Sequence, residues 1–312
     1  MLAFIQELLA AAFRMLTPIG LAAIGEVVVE RSGILNLGLE GIMLFGAFTG
    51  FIITYYTHNP WLGILAAAAV GVILALFFGF LTITLALDQV ITGLALNIFA
   101  AGATFFFYRA IFGWYVSPIP PKVDVLITET PIPILQSIPI IGPALFKQLI
   151  FTYILIFILV PITYYIIYKT KIGLHLRACG EDPLVADYLG IDVVKYRYLA
   201  LIYEGVLAGI GGALFTTALY NMFLDNMTGG RGFIAIAMVI LGKWNPIKTL
   251  LASFLFSIVD ALQLRIQAIG IEWFPYQFAL MLPYLVTIAV LAIFGRKVKG
   301  PASLAKPYRR IK

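Results

Sequence analysis

The chain is divided into apolar runs too long for a soluble core, separated by short polar turns. A helix that crosses the hydrocarbon layer needs roughly 20 mostly apolar residues at about 1.5 Å of rise each. Runs near that length lie at about 3–29, 38–56, 61–86, 89–112, 149–168, 197–220, 232–246, 248–268 and 274–295. Hydrophobic residues fill 62% of 312 positions and charged residues 12%, against about half and about a quarter in soluble domains. Too little polar sequence remains for a separate soluble domain, so 1–312 reads as a single transmembrane domain. The runs lack the period-two alternation of barrel strands, and a backbone in lipid must close its hydrogen bonds within each segment. The expected fold is all-α, a polytopic bundle of about nine transmembrane helices. The first run has an alternative reading as an interfacial helix followed by a short crossing.

Basic residues set the expected orientation. Lys169, Lys171, Arg177, Lys195 and Arg197 collect in the loop 169–197, and Arg296, Lys297, Lys299, Lys306, Arg309, Arg310 and Lys312 in the tail 296–312. Both are expected at the cytoplasmic face of the plasma membrane, with the C-terminus. The proline-rich stretch 113–148, with only Lys122 and Lys147, is expected outside together with the N-terminus. Tyr55, Tyr56 and Trp61, Trp114 and Tyr115, and Trp273 and Tyr276 fall where an outer interfacial belt is expected. No basic residue precedes Arg14 and Glu7 interrupts the first run, so no cleavable signal is expected. The net charge of +6 gathers at the inner face, where anionic lipid or an acidic partner surface is a natural neighbour.

Several chemistries are disfavoured by what is missing. The two histidines, His58 and His175, lie on opposite expected faces, and Cys179 is the single cysteine. These exclude a His-built catalytic or metal site, a disulfide and a cysteine-built metal site. There is no G-x-x-x-x-G-K-[ST] phosphate loop; the glycines between Gly209 and Gly212 lie inside a span, where they let helices pack closely. Asn226-Met227-Thr228 matches a glycosylation triplet, a pattern too frequent by chance to carry weight. No cofactor, metal or nucleic-acid partner is expected.

The longest polar stretch contains RACGEDPLVADYLGI, Arg177 to Ile191. Glu181 and Asp182 precede Pro183, a residue suited to the first helical turn, so a helix starts here. Leu184, Val185, Tyr188 and Leu189 then form a narrow apolar stripe ended by Gly190. A short amphipathic helix of this kind fits a groove in another protein.

At these residues the chain resembles the permease subunits of ABC importers, in the branch that includes ribose, branched-chain amino acid and nucleoside permeases. ERSGILNLGLEGIMLFGAF (Glu30 to Phe48) is similar to the nucleoside and simple-sugar type, and GGRGFIAIAMVILGKWNP (Gly229 to Pro246) to the glycine-rich start of a later span. The resemblance implies a transporter subunit rather than an enzyme, in which ATP is hydrolysed by a separate ABC ATPase. It implies that Arg177, Gly180, Glu181, Asp182, Pro183, Leu184, Tyr188, Leu189 and Gly190 couple to that ATPase. It further implies a second permease, similar or identical, and an extracytoplasmic solute-binding protein, for which 113–148 is the natural docking surface. Nucleosides or a related simple sugar are the implied cargo.

Gly33-Ile34-Leu35-Asn36-Leu37-Gly38 reads in two ways: as a helix break lining a cavity, which the resemblance favours, or as a cytoplasmic turn with Glu30 and Arg31 solvated. Polar residues inside spans are Glu26, Glu40, Gln89, Asn97, Glu204, Asn221, Asp260, Gln263 and Arg265. They tend to face the bundle interior. Among them Asn36, Gln89, Asn97 and Asn221 are candidates for the solute pathway, with Phe105 to Phe107 or Phe215 as stacking groups; for each, interhelical bonding or core packing is the commoner role. An ion-coupled secondary transporter of a small polar solute shares the bundle and the buried acids Glu204 and Asp260. It differs in needing no ATPase. A membrane enzyme is disfavoured, because no acid, base or metal ligands stand at a useful spacing.

Overall fold

The computed structural model describes residues 2–113, 120–133, 136, 141–269, 276–294 and 299–309, and nearly all of them that lie in regular structure are helical. The helices are α1 (Leu2–Arg31), α2 (Leu39–Thr57), α3 (Pro60–Thr84), α4 (Gln89–Phe112), α5 (Ile150–Lys169), α6 (Lys171–Glu181), α7 (Pro183–Tyr188), α8 (Val193–Leu219), α9 (Arg231–Leu241), α10 (Pro246–Ile269) and α11 (Tyr276–Phe294). Seven of them, α1 to α5, α8 and α10, are long and apolar enough to cross a membrane, while α9 and the Leu280–Val290 part of α11 are shorter. Each expected run thus contains a helix, and the protein is an all-α membrane bundle. The first run forms one continuous 30-residue helix that passes through Pro18.

Polar residues at the run boundaries start the helices. Asn59 Oδ1 accepts from Trp61 N and Pro60 takes the first position of α3; Asp88 Oδ1 accepts from Ile91 N at α4, and Asp192 Oδ1 from Lys195 N at α8. Each satisfies a first-turn N–H that has no partner within its helix. Wider π-type turns interrupt α3 at Phe80–Thr84, α5 at Ile154–Leu159 and α8 at Phe215–Leu219.

At the centre, α8 packs against α1, α2 and α3. Its glycines make this possible: a Cβ at Gly212 would overlap the Met43 carbonyl of α2, and one at Gly209 the Ala67 carbonyl of α3. The outward faces of α3 and α4 instead expose Leu65, Ile73, Phe77, Ile91, Ile98 and Phe99, as a lipid-facing surface does.

The two ends of the bundle differ. At one end Gln148 Nε2 donates to Ala10 O (3.1 Å) and Arg14 Nη1 to Glu129 Oε1 (3.0 Å), so the start of α1 lies with the 120–148 segment. Val123 N and Ile127 N donate to Asn221 O and Thr217 O, both at 2.8 Å, laying that segment along the end of α8. Thr130–Pro131 pairs antiparallel with Lys147–Gln148. Tyr56 and Trp61 are exposed at this end. At the other end Ser303 N donates to Gly180 O (3.0 Å), joining residues 299–309 to α6. Trp114, Tyr115, Trp273, Arg296, Lys297, Arg310 and Lys312 lie outside the described residues.

Candidate functional site

The segment between α5 and α8 folds as two short helices. Asp182 Oδ1 accepts from the backbone N–H groups of Leu184 and Val185, both at 3.1 Å, and Pro183 opens α7, where its missing N–H needs no partner. Gly190, at φ 82°, turns the chain after Tyr188 in the left-handed region that glycine enters freely. The inner face of α7 is Ala186, packed with Cys179, Val193 and Tyr308. Leu184, Val185, Tyr188 and Leu189 point away from the bundle, and Tyr188 and Leu189 are 80% and 75% exposed. The apolar stripe is therefore present and uncovered.

This segment is seated on the ends of α1 and α8. Arg177 Nε donates to Gly173 O (3.3 Å), with its guanidinium 5.5 Å from the Tyr168 ring. Glu181 Oε2 accepts from Ala302 N of the tail (3.3 Å). Arg197 is buried; its Nε donates to Ser32 O (3.2 Å), and its guanidinium stands 5.6 Å from the Tyr308 ring. Burial pushes the Cys179 thiol up to about 11, against the opposing pull of the nearby Arg197.

Between α1 and α2, Ser32, Ile34 and Asn36 are fully buried, so this is a break enclosed by protein and not a solvated turn. Glu30 is likewise buried, accepting from Trp244 Nε1, and Arg31 donates through Nε to Trp244 O (3.0 Å). The segment folds back along α1, because Asn36 N donates to Glu26 Oε1 (3.2 Å), about 7 Å before the end of that helix. Its backbone groups are satisfied by side chains from elsewhere: Leu35 N donates to Gln89 Oε1 (2.8 Å), and Asn97 Nδ2 donates to Leu37 O (2.7 Å) while Asn97 Oδ1 accepts from Gly41 N (2.8 Å). Asn36 Oδ1 accepts from Gly38 N (3.0 Å) and its Nδ2 donates to Glu204 Oε2 (2.8 Å). The structure brings Asn36, Gln89 and Asn97 together at this break. Asn221 lies apart, half-buried beside Val123 at the opposite end.

A second break precedes α9. Residues 220–230 descend from the end of α8 without regular helix, and α9 spans only its 11 residues, about 16 Å, or half the hydrocarbon thickness. Glu40, in the first turn of α2, holds the start of α9: its Oε1 accepts from Thr228 Oγ1 (2.6 Å) and Gly230 N (2.8 Å), and its Oε2 from Gly232 N (2.6 Å). The helix starts at the two breaks thus meet on one buried carboxylate. Phe105, Phe106 and Phe107 are exposed on the outer face of α4, whereas Phe215 is buried with the Arg231 guanidinium 5.4 Å from its ring.

Arg197, Trp244 and Thr228 complete these junctions, and sequence alone does not single them out. Arg197 reads as one more basic loop residue and Thr228 as part of a chance triplet; only the folded partners give them roles. Among the described residues no three His, Cys, Asp or Glu side chains are grouped to hold a metal.

A family model for the branched-chain amino acid transport system permease component matches residues 8–291. The chain belongs to this permease family. It is 35% identical to the guanosine ABC transporter permease protein NupQ of Bacillus subtilis, over 93% of this chain and 92% of that one. It is 36% identical to the nucleoside ABC transporter permease protein NupC of Lactococcus lactis, over 91% of each. A Haloferax volcanii protein provisionally named a glucose ABC transporter permease is 36% identical over 99% of each chain. This permease is therefore a multi-pass membrane component of an ABC transporter and not itself an enzyme.

Proposed function

We propose that the permease forms half of the translocation pathway of an ATP-driven importer for nucleosides or a related simple sugar. The end carrying α6, α7 and residues 299–309 is cytoplasmic, and the N-terminus lies outside. A separate ABC ATPase receives α7. A second permease, similar or identical, completes the pathway, an extracytoplasmic solute-binding protein docks on 113–148, and membrane lipid covers the outer faces of the bundle.

The observation that carries this reading is the uncovered apolar face of α7 on a rigid mount. Leu184, Tyr188 and Leu189 form the contact, Asp182, Pro183 and Gly190 shape it, and Arg177, Gly180 and Glu181 anchor it to the bundle. Force applied to α7 reaches the break at 33–38 through Gly180 and Arg197, and there Asn36, Gln89 and Asn97 keep the backbone in place beside the pathway. Asn221 stands near its outer end. The cargo class is supported by the guanosine, nucleoside and glucose transport for which the three relatives are named and by the neutral amide groups of these residues.

The test is purification of the complex from native membranes with Tyr188→Asp and Leu189→Asp together. Loss of the co-purifying ATPase, with unchanged thermal stability of the permease, is the expected result. An ATPase that still co-purifies and still drives guanosine uptake removes α7 as the coupling element. Uptake that survives ATP depletion and collapses with an ion gradient identifies a secondary carrier instead.

A further inference from the structure

We propose that the cleft where α9, α10 and α11 meet binds a neutral ring carrying neighbouring hydroxyl groups, either a free sugar or the ribose of a nucleoside. The proposal deepens the cargo class given above and rests on it. The cleft has a volume of about 240 Å³, and Arg231, Asp260, Gln263, Gln267 and Tyr284 supply its polar lining.

Asp260, Gln263 and Gln267 are spaced i, i+3 and i+7, so they form one polar stripe on α10. Such a stripe in a membrane helix is costly unless its groups are used. Arg231 Nη2 donates to Asp260 Oδ2 (3.2 Å), so the two charges offset each other and the cleft favours an uncharged guest. Gln263 is 5% exposed and lines the cleft, yet its amide has no hydrogen-bond partner among the described residues. The amide is open to the cleft, and a hydroxyl that both donates and accepts can satisfy its N–H and C=O groups together. Adjacent hydroxyls also match the carboxylate of Asp260, one turn away. Phe256 is buried in the same wall and offers an aromatic surface to the carbon face of a ring.

Size and position beside a broken helix agree with this guest. The volume falls below the roughly 300–1,000 Å³ of sites for drug-sized ligands, so the cleft takes one ring, a free sugar or the ribose of a nucleoside whose base stays outside. Asp260 lies 14 residues after Pro246, or about 21 Å along α10, and the cleft opens at the start of the half-length α9. Discontinuous helices at mid-membrane depth are where transporters place solute sites. Tyr284 Oη donates to Gly229 O (2.7 Å), closing the cleft against the turn that leads into α9.

The test uses the assembled transporter in native membranes. Leu264→Cys, at a position that lines the cleft beside Gln263, is introduced with Cys179→Ala and modified with a water-soluble methanethiosulfonate in the presence of ribose, guanosine, or the dideoxy analogue of guanosine that lacks the ribose hydroxyl pair. Ribose and guanosine should slow modification at least about fivefold, and the analogue should not. Equal rates with and without every probe overturn the site. In parallel, Gln263→Leu should lower guanosine uptake about tenfold and leave uptake of the analogue unchanged, with Gln263→Asn intermediate. Equal loss for both solutes, or for neither, also overturns it. ATP-dependent guanosine uptake by the unsubstituted transporter tests the proposed function separately: uptake without protection removes the cleft alone, and protection without ATP-dependent uptake removes the importer.

Discussion

Gly180 of α6 lies so close to the backbone carbonyl of Arg31 that a Cβ there would overlap it. The same glycine is 3.2 Å from the Cβ position of Gly33, which itself adopts φ 89°. The segment that carries α7 therefore touches the break between α1 and α2 by backbone against backbone. Two contacts of this kind have little slack, because there is no side chain to change rotamer between them.

Substitution at Gly180 should be felt at both ends of that contact. Gly180→Asn is expected to destabilise the permease by about 1–3 kcal/mol through overpacking and to reduce uptake. Gly190→Asn should have little effect, since asparagine tolerates the left-handed conformation and nothing lies within 4 Å of a Cβ there. Thermal unfolding in detergent followed by tryptophan fluorescence, with uptake on the same pair, measures the difference.

Asn36 makes hydrogen bonds in both directions at the break. Asn36→Ala leaves Gly38 N without its acceptor and Glu204 Oε2 without its donor, which should destabilise by about 1–3 kcal/mol. Asn36→Asp should be worse, because it sets a further carboxyl beside Glu26 and Glu204 in a site that water does not enter. A denaturation midpoint for Asn36→Asp equal to that of the unsubstituted protein would contradict this account of the break.

Glu40 serves three donors, two of them backbone N–H groups at the start of α9. Its replacement by alanine orphans all three, and on the order of 3 kcal/mol should be lost. Glu40→Gln keeps an acceptor oxygen and should recover part of the loss. Hydrogen exchange at Gly230 and Gly232 is the direct reading, expected to rise in the alanine variant before exchange elsewhere in the bundle.

Cys179 should resist alkylation at neutral pH for two reasons. It is buried, and its thiol titrates near 11, so the reactive thiolate grows only as pH rises towards that value. Maleimide labelling should climb about tenfold per pH unit between pH 7 and pH 9. Tyr308→Ala, which removes a neighbour packed over this cluster, should speed labelling at every pH.

Much of the bundle was legible from run length and from the residues that start helices. Asp182 before Pro183, and Gly190 after Tyr188, predicted α7 almost to the residue, because capping and turn formation depend on neighbours in the chain. The break at 33–38 was legible only as a glycine-bounded interruption with two readings. Its partners lie 54, 60 and 168 residues away, at Gln89, Asn97 and Glu204, and no local pattern says that those side chains converge on it. The run that holds the short α9 looks like an ordinary span in the sequence for a similar reason: its apolar composition is the same whether it crosses the whole layer or half of it.

The sequence by itself determined a helical membrane body, its family and the exposed helix at its basic end, since hydrophobic length, capping and turn chemistry act over a few residues. Only the tertiary structure decided which polar groups are spent on the backbone and which remain open to a guest. Asn36 and Gln263 look alike in the sequence, as amides within or beside apolar runs. Packing placed the first between the Gly38 N–H and the Glu204 carboxylate and left the second facing a cleft, because hydrogen bonding in a dry interior is settled by what other helices bring within about 3 Å.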